Sequence, residues 1–330
     1  MRRVIFEEKG GPEVLKFETL DLPSPATGEV RIKIKAIGLN RYESMFRQGV
    51  YVVPPELPSA IGAEAVGIVE ALGGDVSGFS VGDRVTAVPF TTIAGTGVYA
   101  DTANVPTTTL LRSLDGTTDA EEAITWMVYL NAYNLLTAPR VEPGTTVLTI
   151  GATSGVGLAT IQIARDLGAT VIATTRKRRK AAALRDAGAH HVIVTEEEKL
   201  TDRVLELTGG RGVDLALDPV AGPSVADILA TTAIGGYVLI YGVLGVPEFT
   251  TARLDLPLPA IVMKFVSYAT IGEFVLNPPR METAQAYIRD AHRRGVIKPV
   301  IDRTFPLSEI VAAHQYLDGR DLFGKVVVLP

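Results

Sequence analysis

The stretch that decides the fold is Thr149-Ile150-Gly151-Ala152-Thr153-Ser154-Gly155-Val156-Gly157. The apolar run Thr146–Ile150 leads into it and the amphipathic run Val156–Leu167 leads out. In that setting a glycine-rich turn lets backbone N–H groups and a helix N-terminus close on a pyrophosphate. The spacing is G-x-x-x-G-x-G rather than the commoner G-x-G-x-x-G, so the pattern gains its weight from its flanks: a strand before, a helix after and a further strand at Thr170. Together these point to dinucleotide binding. The bland alternative is a turn that merely joins strand to helix.

Outward from the turn the chain alternates. Strands are predicted at Thr146–Ile150, Thr170–Thr174, His191–Val194, Leu215–Leu217 and Gly236–Tyr241, with helices at Val156–Leu167, Arg178–Ala187, Lys199–Thr208 and Ser224–Thr232 between them. This is the pattern of an α/β fold, a doubly wound parallel sheet with helices on both faces. An NAD-binding domain of this kind carries an acidic residue roughly 20 residues after the turn, to hold the ribose 2′-OH. Here that strand end reads Thr174-Thr175-Arg176-Lys177-Arg178-Arg179-Lys180. Cations where a 2′-phosphate would sit favour NADPH, because Arg can pair with phosphate bidentately and Lys as a point charge. The alternative is a solvated basic helix start, which opposes the helix dipole.

The first third has another texture. Glu29–Ala36 alternates apolar and charged residues with period two, as in a strand buried on one face. Further strands are expected at Glu64–Leu72 and Arg84–Val88, set off by Gly73-Gly74-Asp75 and Val81-Gly82-Asp83, so a small β-rich barrel or sandwich is expected. Thr118-Asp119-Ala120-Glu121 has capping-box spacing and should open a helix running to about Leu136. A helix over Pro279–Arg294 and a return strand at Lys325–Leu329 complete the reading. The expected domains are 1–124, completed by 273–330, and 125–272.

Composition bounds the function. The 330 residues are 47% hydrophobic and 21% charged with a net charge of -5, an ordinary soluble globular profile without the basic face a general nucleic-acid binder needs. There is no cysteine, which excludes disulfides, Fe–S clusters, thiolate catalysis and cysteine-ligated zinc. Met1–Leu15 is too acidic and too short in apolar residues for a signal peptide, and no apolar run reaches the roughly 18 residues of a membrane span. No membrane association and a cytoplasmic location are the expectations.

Gly10-Gly11-Pro12-Glu13-Val14-Leu15, Ala36-Ile37-Gly38-Leu39-Asn40, Gly82-Asp83-Arg84-Val85, the glycine-rich turn and Gly324-Lys325-Val326-Val327 together resemble the medium-chain dehydrogenases/reductases of the quinone oxidoreductase and 2-enoyl reductase type. The resemblance covers nearly the whole chain. It implies a GroES-like β-rich catalytic domain built from both chain ends around a Rossmann domain, a substrate cleft between the two, and a homodimer formed by edge-to-edge pairing of Rossmann sheets. It also implies that NADPH is held by Asn131, Thr153, Ser154, Gly155, Val156, Arg176, Lys180, Gly242, Val243 and Lys325. Where zinc-dependent relatives place their metal donors, this chain has Asn40, Ala63 and Met127, none of them a zinc donor of the required kind. No metal is therefore expected.

Without zinc the acceptor must delocalise the incoming charge itself, which favours quinones and α,β-unsaturated carbonyls. Gln48-Gly49-Val50-Tyr51 with Pro55-Glu56-Leu57-Pro58-Ser59 resembles the trans-2-enoyl thioester reductases, in which this tyrosine donates a proton. Tyr51 is thus a candidate general acid, or else a loop aromatic packed at the cleft mouth. Asn40 is a candidate to orient the substrate carbonyl or the nicotinamide ribose, or else a strand-end turn residue. Two departures stand out: the second tyrosine usual near Met45 is absent, and the family's threonine beside the nicotinamide is Asn131. Trp126 and Tyr129 beside it are expected to be core packing. Three alternatives stand beside this reading. A short-chain dehydrogenase is disfavoured, since no Tyr after residue 157 is followed by Lys at +4. A zinc-free carbonyl reductase and a non-catalytic NADPH-binding paralogue stay open. Loops Tyr51–Ser59, Thr91–Gly97 and Leu244–Leu258 are expected to shape the substrate site.

Overall fold

The computed structural model describes residues 1–88, 97–246, 261–269, 272, 277–319 and 321–330; most of the Thr91–Gly97 and Leu244–Leu258 loops lie outside them. In chain order the first unit contains β1 (Arg2–Phe6), β2 (Lys16–Thr19), β3 (Glu29–Gly38), α1 (Arg41–Gln48), β4 (Ser59–Ala60), β5 (Ala65–Leu72), β6 (Arg84–Ala87), β7 (Thr102–Pro106), β8 (Leu110–Arg112) and α2 (Asp119–Glu122). After α3 (Trp126–Thr137) come β9 (Thr146–Thr149), α4 (Gly155–Asp166), β10 (Thr170–Thr175), α5 (Ala181–Asp186), β11 (His191–Val194), α6 (Leu200–Leu207), β12 (Val213–Asp218), α7 (Val225–Ala230), β13 (Thr232–Ile240), β14 (Phe265–Tyr268) and α8 (Pro278–Arg293). The chain then returns to the first unit with β15 (Ile301–Pro306), α9 (Ile310–Asp318) and β16 (Lys325–Leu329).

The period-two alternation of Glu29–Ala36 becomes β3, whose Val30, Ile32, Ile34 and Ala36 are buried while Lys33 and Lys35 are exposed. β3 pairs antiparallel with β5, β7 and β16, so the C-terminal strand is built into the N-terminal sheet. The sheet runs β15-β16-β3-β5-β6-β8, and β1 is flanked by β2 and β4 in a smaller one. This is the GroES-like β-rich domain.

In the second unit the described strands run β11-β10-β9-β12-β13-β14, all parallel. Renumbered within the sheet, that order is 3-2-1-4-5-6, the Rossmann arrangement, whose order reverses between β9 and β12 and so opens a crevice at the strands' C-terminal ends. The glycine-rich turn leaves the end of β9, at that reversal. No described helix is long and apolar enough to cross a membrane.

The structure differs from the sequence reading in several places, among them α9, which lies in a stretch read as an extended tail. The units divide as Met1–Met127 with Pro299–Pro330, and Val128–Lys298, so the chain returns at Pro299 rather than at 273. Contacts of α8 explain the shift: Tyr287 Oη donates to Asp166 of α4 at 2.7 Å and packs on Tyr133, while Ala284, Ile288 and Ala291 are buried. The helix expected from Thr118 to Leu136 is broken into α2 and α3. Buried Ala123 and Ile124 sit in the break, packed on Ala36, Val66 and Val327, and the Thr125 hydroxyl donates back to Glu121 O. Helix α1 and strand β14 were not read from periodicity. The eight residues of α1 include four charged or amide side chains, and β14 is short and largely exposed.

Candidate functional site

In the first unit the site grows from the end of β3. Gly38 has no side chain, and a Cβ there would fall 2.1 Å from Ala123 O and 2.9 Å from a Glu64 carboxylate oxygen. The close approach brings together Asn40, Glu64 and Lys325, all buried. Lys325 Nζ donates to Asn40 Oδ1 at 2.6 Å and to Glu64 Oε2 at 2.8 Å, and Asn40 Nδ2 donates to Gly38 O at 3.1 Å and Glu64 Oε2 at 3.4 Å. The other Glu64 oxygen accepts the Met127 amide at 3.0 Å. Thus two of the three positions where zinc relatives carry metal donors, Asn40 and Met127, here surround a lysine–glutamate ion pair. Lys325, read from the sequence as a cofactor ligand, is tied to candidate Asn40 instead of standing apart from it.

The third position, Ala63, is held by Glu43, which sequence reading missed. Glu43 Oε1 accepts the Ala63 amide at 3.0 Å; Oε2 accepts the Asn40 amide at 2.7 Å and the Tyr99 hydroxyl at 2.6 Å. Glu43 stands at the third position of α1 with Asn40 as N-cap, the carboxylate half of a capping box, and that spacing was the available signal. Behind it lies a buried chain. Arg47 Nη1 lies 2.9 Å from His314 Nδ1; since arginine only donates, Nδ1 accepts and the ring proton sits on Nε2. His314 Nε2 then donates to Tyr99 Oη at 3.2 Å, and Tyr99 donates to Glu43. Burial, with Arg47 alongside, pushes His314 down to about 3, so the ring stays neutral. Burial also pushes the Glu43 carboxyl up to about 7, against the pull of Tyr99, the Asn40 amide and Lys325.

Tyr51 follows α1, partly buried, its ring 5.5 Å from that of Tyr42. Burial holds its phenol above the ordinary value, so it is protonated at neutral pH. Tyr42, two residues after Asn40, packs its ring between α1 and Tyr51.

The remaining cofactor candidates lie in the second unit. Ser154 caps α4, its hydroxyl accepting the Gly157 amide at 3.1 Å, and the first helical residues, Gly155 and Val156, present amides that a helix cannot itself satisfy. Gly157 is required because a Cβ there would lie 2.7 Å from the backbone of Ala152. The turn is sewn to β10, with Thr174 Oγ1 accepting the Gly151 amide at 3.1 Å. Beside it, Gly242 and Val243 follow β13, and a Cβ on Gly242 would meet Pro219 O at 2.6 Å. Asp218, at the end of β12, accepts the amides of Val220 and Ala221, and burial holds its carboxyl above the usual range. Ala221 is held at φ 58, ψ -164, a region ordinarily taken by glycine. The Thr149 hydroxyl at the end of β9 is buried without a hydrogen bond, and the buried Tyr241 hydroxyl lies beside that of Ser154. Unsatisfied polar atoms around a helix N-terminus and a close-approach glycine fit a dinucleotide pyrophosphate.

In the basic run, Lys177 pairs with Glu196 at 2.9 Å and Arg178 with Glu197. Of the two residues named for the 2′-phosphate, Arg176 is exposed just after β10 and Lys180 is buried at the start of α5. Asn131 is partly buried on α3. Trp126 and Tyr129 are core, as expected: Trp126 Nε1 donates to Glu122 and the Tyr129 hydroxyl to Gln162. Among the described residues no three His, Cys, Asp or Glu side chains form a metal cluster.

Comparison with known proteins follows the two units. Residues 26–115 match the alcohol dehydrogenase GroES-like domain and residues 155–290 the zinc-binding dehydrogenase domain. The chain is 31% identical to a quinone oxidoreductase of Pongo abelii, covering all of this chain and 98% of the relative. It is 32% identical to a 2-haloacrylate reductase of Burkholderia sp, covering 99% and 98%. The structure of Escherichia coli quinone oxidoreductase complexed with NADPH matches over 100% of both chains, with a TM-score of 0.90 and 28% identity.

Proposed function

The chain belongs to the zinc-independent medium-chain dehydrogenases/reductases of the quinone oxidoreductase and 2-enoyl reductase family, and from that premise we propose that it uses NADPH to reduce a conjugated acceptor, a quinone or an α,β-unsaturated carbonyl. The observation that carries the reading is the Lys325–Asn40–Glu64 cluster. It fills with a lysine ammonium, an amide and a carboxylate the region where zinc relatives hold a Lewis acid. Among the described residues the zinc named in the matched domain description has no donor set.

Bound NADPH supplies the hydride. The glycine-rich turn and the start of α4 would hold its pyrophosphate, and Arg176 and Lys180 its 2′-phosphate. The Asn40 side-chain amide gives its N–H groups to Gly38 and Glu64, and orients the nicotinamide ribose through Oδ1, which Lys325 also holds. Tyr51 donates a proton to the carbon next to the carbonyl and recovers one from solvent. A quinone takes its protons on oxygen and depends less on Tyr51.

A homodimer goes with this reading. β14 is the edge of the described Rossmann sheet, and Val262, Met263, Phe265, Tyr268 and Ile234 there are exposed. An unpaired edge with apolar side chains favours a second copy of the same edge. A cytoplasmic location is also part of the proposal.

The test is a panel of quinones, enones, enoyl thioesters, simple ketones and aldehydes with NADPH, run with and without prolonged chelation. Conjugated acceptors should dominate and chelation should change nothing. Simple carbonyls reduced far better than any conjugated acceptor, or one zinc per chain lost together with activity, would overturn the proposal.

A further inference from the structure

The Tyr42 hydroxyl is buried in the first unit without a hydrogen bond. Buried hydroxyls in native proteins are nearly all bonded, and an exception asks for a reason. The reason is not a shortage of carboxylates nearby. Glu43 and Glu64 both lie close enough to influence the Tyr42 phenol, and with burial they keep it protonated. Their oxygens are already in use. Glu43 accepts from Ala63, Asn40 and Tyr99, and Glu64 from Met127, Lys325 and Asn40. The Tyr42 O–H is left without an acceptor, two residues after Asn40, on a ring 5.5 Å from the Tyr51 ring.

We propose that the Tyr42 hydroxyl is a catalytic donor reserved for the oxygen of the bound acceptor, with Tyr51 beside it supplying the proton to carbon. The inference rests on the reductase reading above. When hydride reaches the β-carbon of an enone, the C=C electron pair moves toward the carbonyl and its oxygen takes up negative charge. The Tyr42 O–H stabilises that oxygen without giving up its proton. The α-carbon then takes the proton of Tyr51, the charge leaves the oxygen, and the Tyr51 phenolate recovers a proton from solvent. A donor aimed at developing charge acts mainly on the transition state, so its loss lowers kcat more than it raises KM.

Tyr42→Phe keeps the ring and removes only the donor, and two measurements read it. Enone turnover should fall by about 10²-fold, as for loss of one oxyanion donor, with KM and NADPH affinity little changed. The melting temperature of the protein without ligands should rise, by about 2–4 °C, because an unbonded buried hydroxyl has been removed. Unchanged enone turnover overturns the inference. So does a lowered melting temperature, which means that the hydroxyl is already bonded in the resting protein and is structural. A wild type inert toward every conjugated acceptor sinks the reductase reading and this inference together; an active wild type with an unimpaired Phe variant sinks this inference alone.

Discussion

Glu43→Gln tests the buried network behind Asn40. Glu43 is 1% exposed, and its carboxyl is pushed up to about 7 from the ordinary 4.5, chiefly by burial. Ionising it in place therefore costs about 3 kcal/mol more than in the unfolded chain. Between pH 4.5 and 7 the folded protein holds this proton while the unfolded chain releases it, so stability falls as pH rises through that window. The contribution is complete below 4.5 and gone above 7. Glutamine does not titrate, so it removes the slope. At pH 8 it also removes a buried charge, while its NH₂ group replaces one of the acceptors now used by Asn40, Ala63 and Tyr99. These two effects oppose each other, which makes the slope and not the absolute value the diagnostic. Urea unfolding of wild type and variant at intervals from pH 4.5 to 8 measures it: the wild type should lose about 3 kcal/mol relative to the variant over the window. Parallel curves would refute the reasoning and mean that the three donors hold Glu43 at an ordinary carboxylate pKa.

Three further outcomes are expected. NADPH should bind at least about tenfold tighter than NADH, about 1.4 kcal/mol, and Arg176→Ala or Lys180→Ala should erode the difference; equal Kd values in the wild type would remove the phosphate reading. Tyr51→Phe should slow enone reduction by about 10²–10⁴-fold with NADPH affinity nearly unchanged and quinone reduction less affected; intact enone turnover would make Tyr51 a packing residue. Lys325→Met should destabilise the protein by about 3–5 kcal/mol, since it leaves Glu64 charged and unpaired in the interior; denaturant unfolding checks this, and a loss below about 1 kcal/mol would show the pair to be dispensable.

Much was legible in the sequence because it was local. The parallel sheet follows from the alternation of short apolar runs and amphipathic segments after Thr146, and its cofactor turn from glycines bounded by a strand and a helix. The half-buried face of β3 showed in Glu29–Ala36, whose charges fall on every second residue. Arg176 and Lys180 stand out because five cations in a row at a helix start oppose its dipole. Zinc could be dismissed from residue identity alone, since neither Asn40 nor Ala63 nor Met127 carries a zinc donor and the chain has no cysteine.

Only the tertiary structure decided the rest, and the reason is sequence distance. The resemblance names Lys325 as an NADPH ligand, but its place against Asn40 and Glu64 follows only from the pairing of β16 with β3. The Arg47–His314–Tyr99–Glu43 chain joins α1, α9 and the segment before β7, and no periodicity links them. The domain return at Pro299 rather than 273 depends on Tyr287 and Arg294 reaching Asp166, ion-pair and hydrogen-bond partners over a hundred residues away. Nothing local marks Tyr42; only the fold shows the neighbouring carboxylates already filled. A residue's propensity and pattern are set by its neighbours in the chain, whereas its charge state and unmet hydrogen bonds are set by what the fold packs around it.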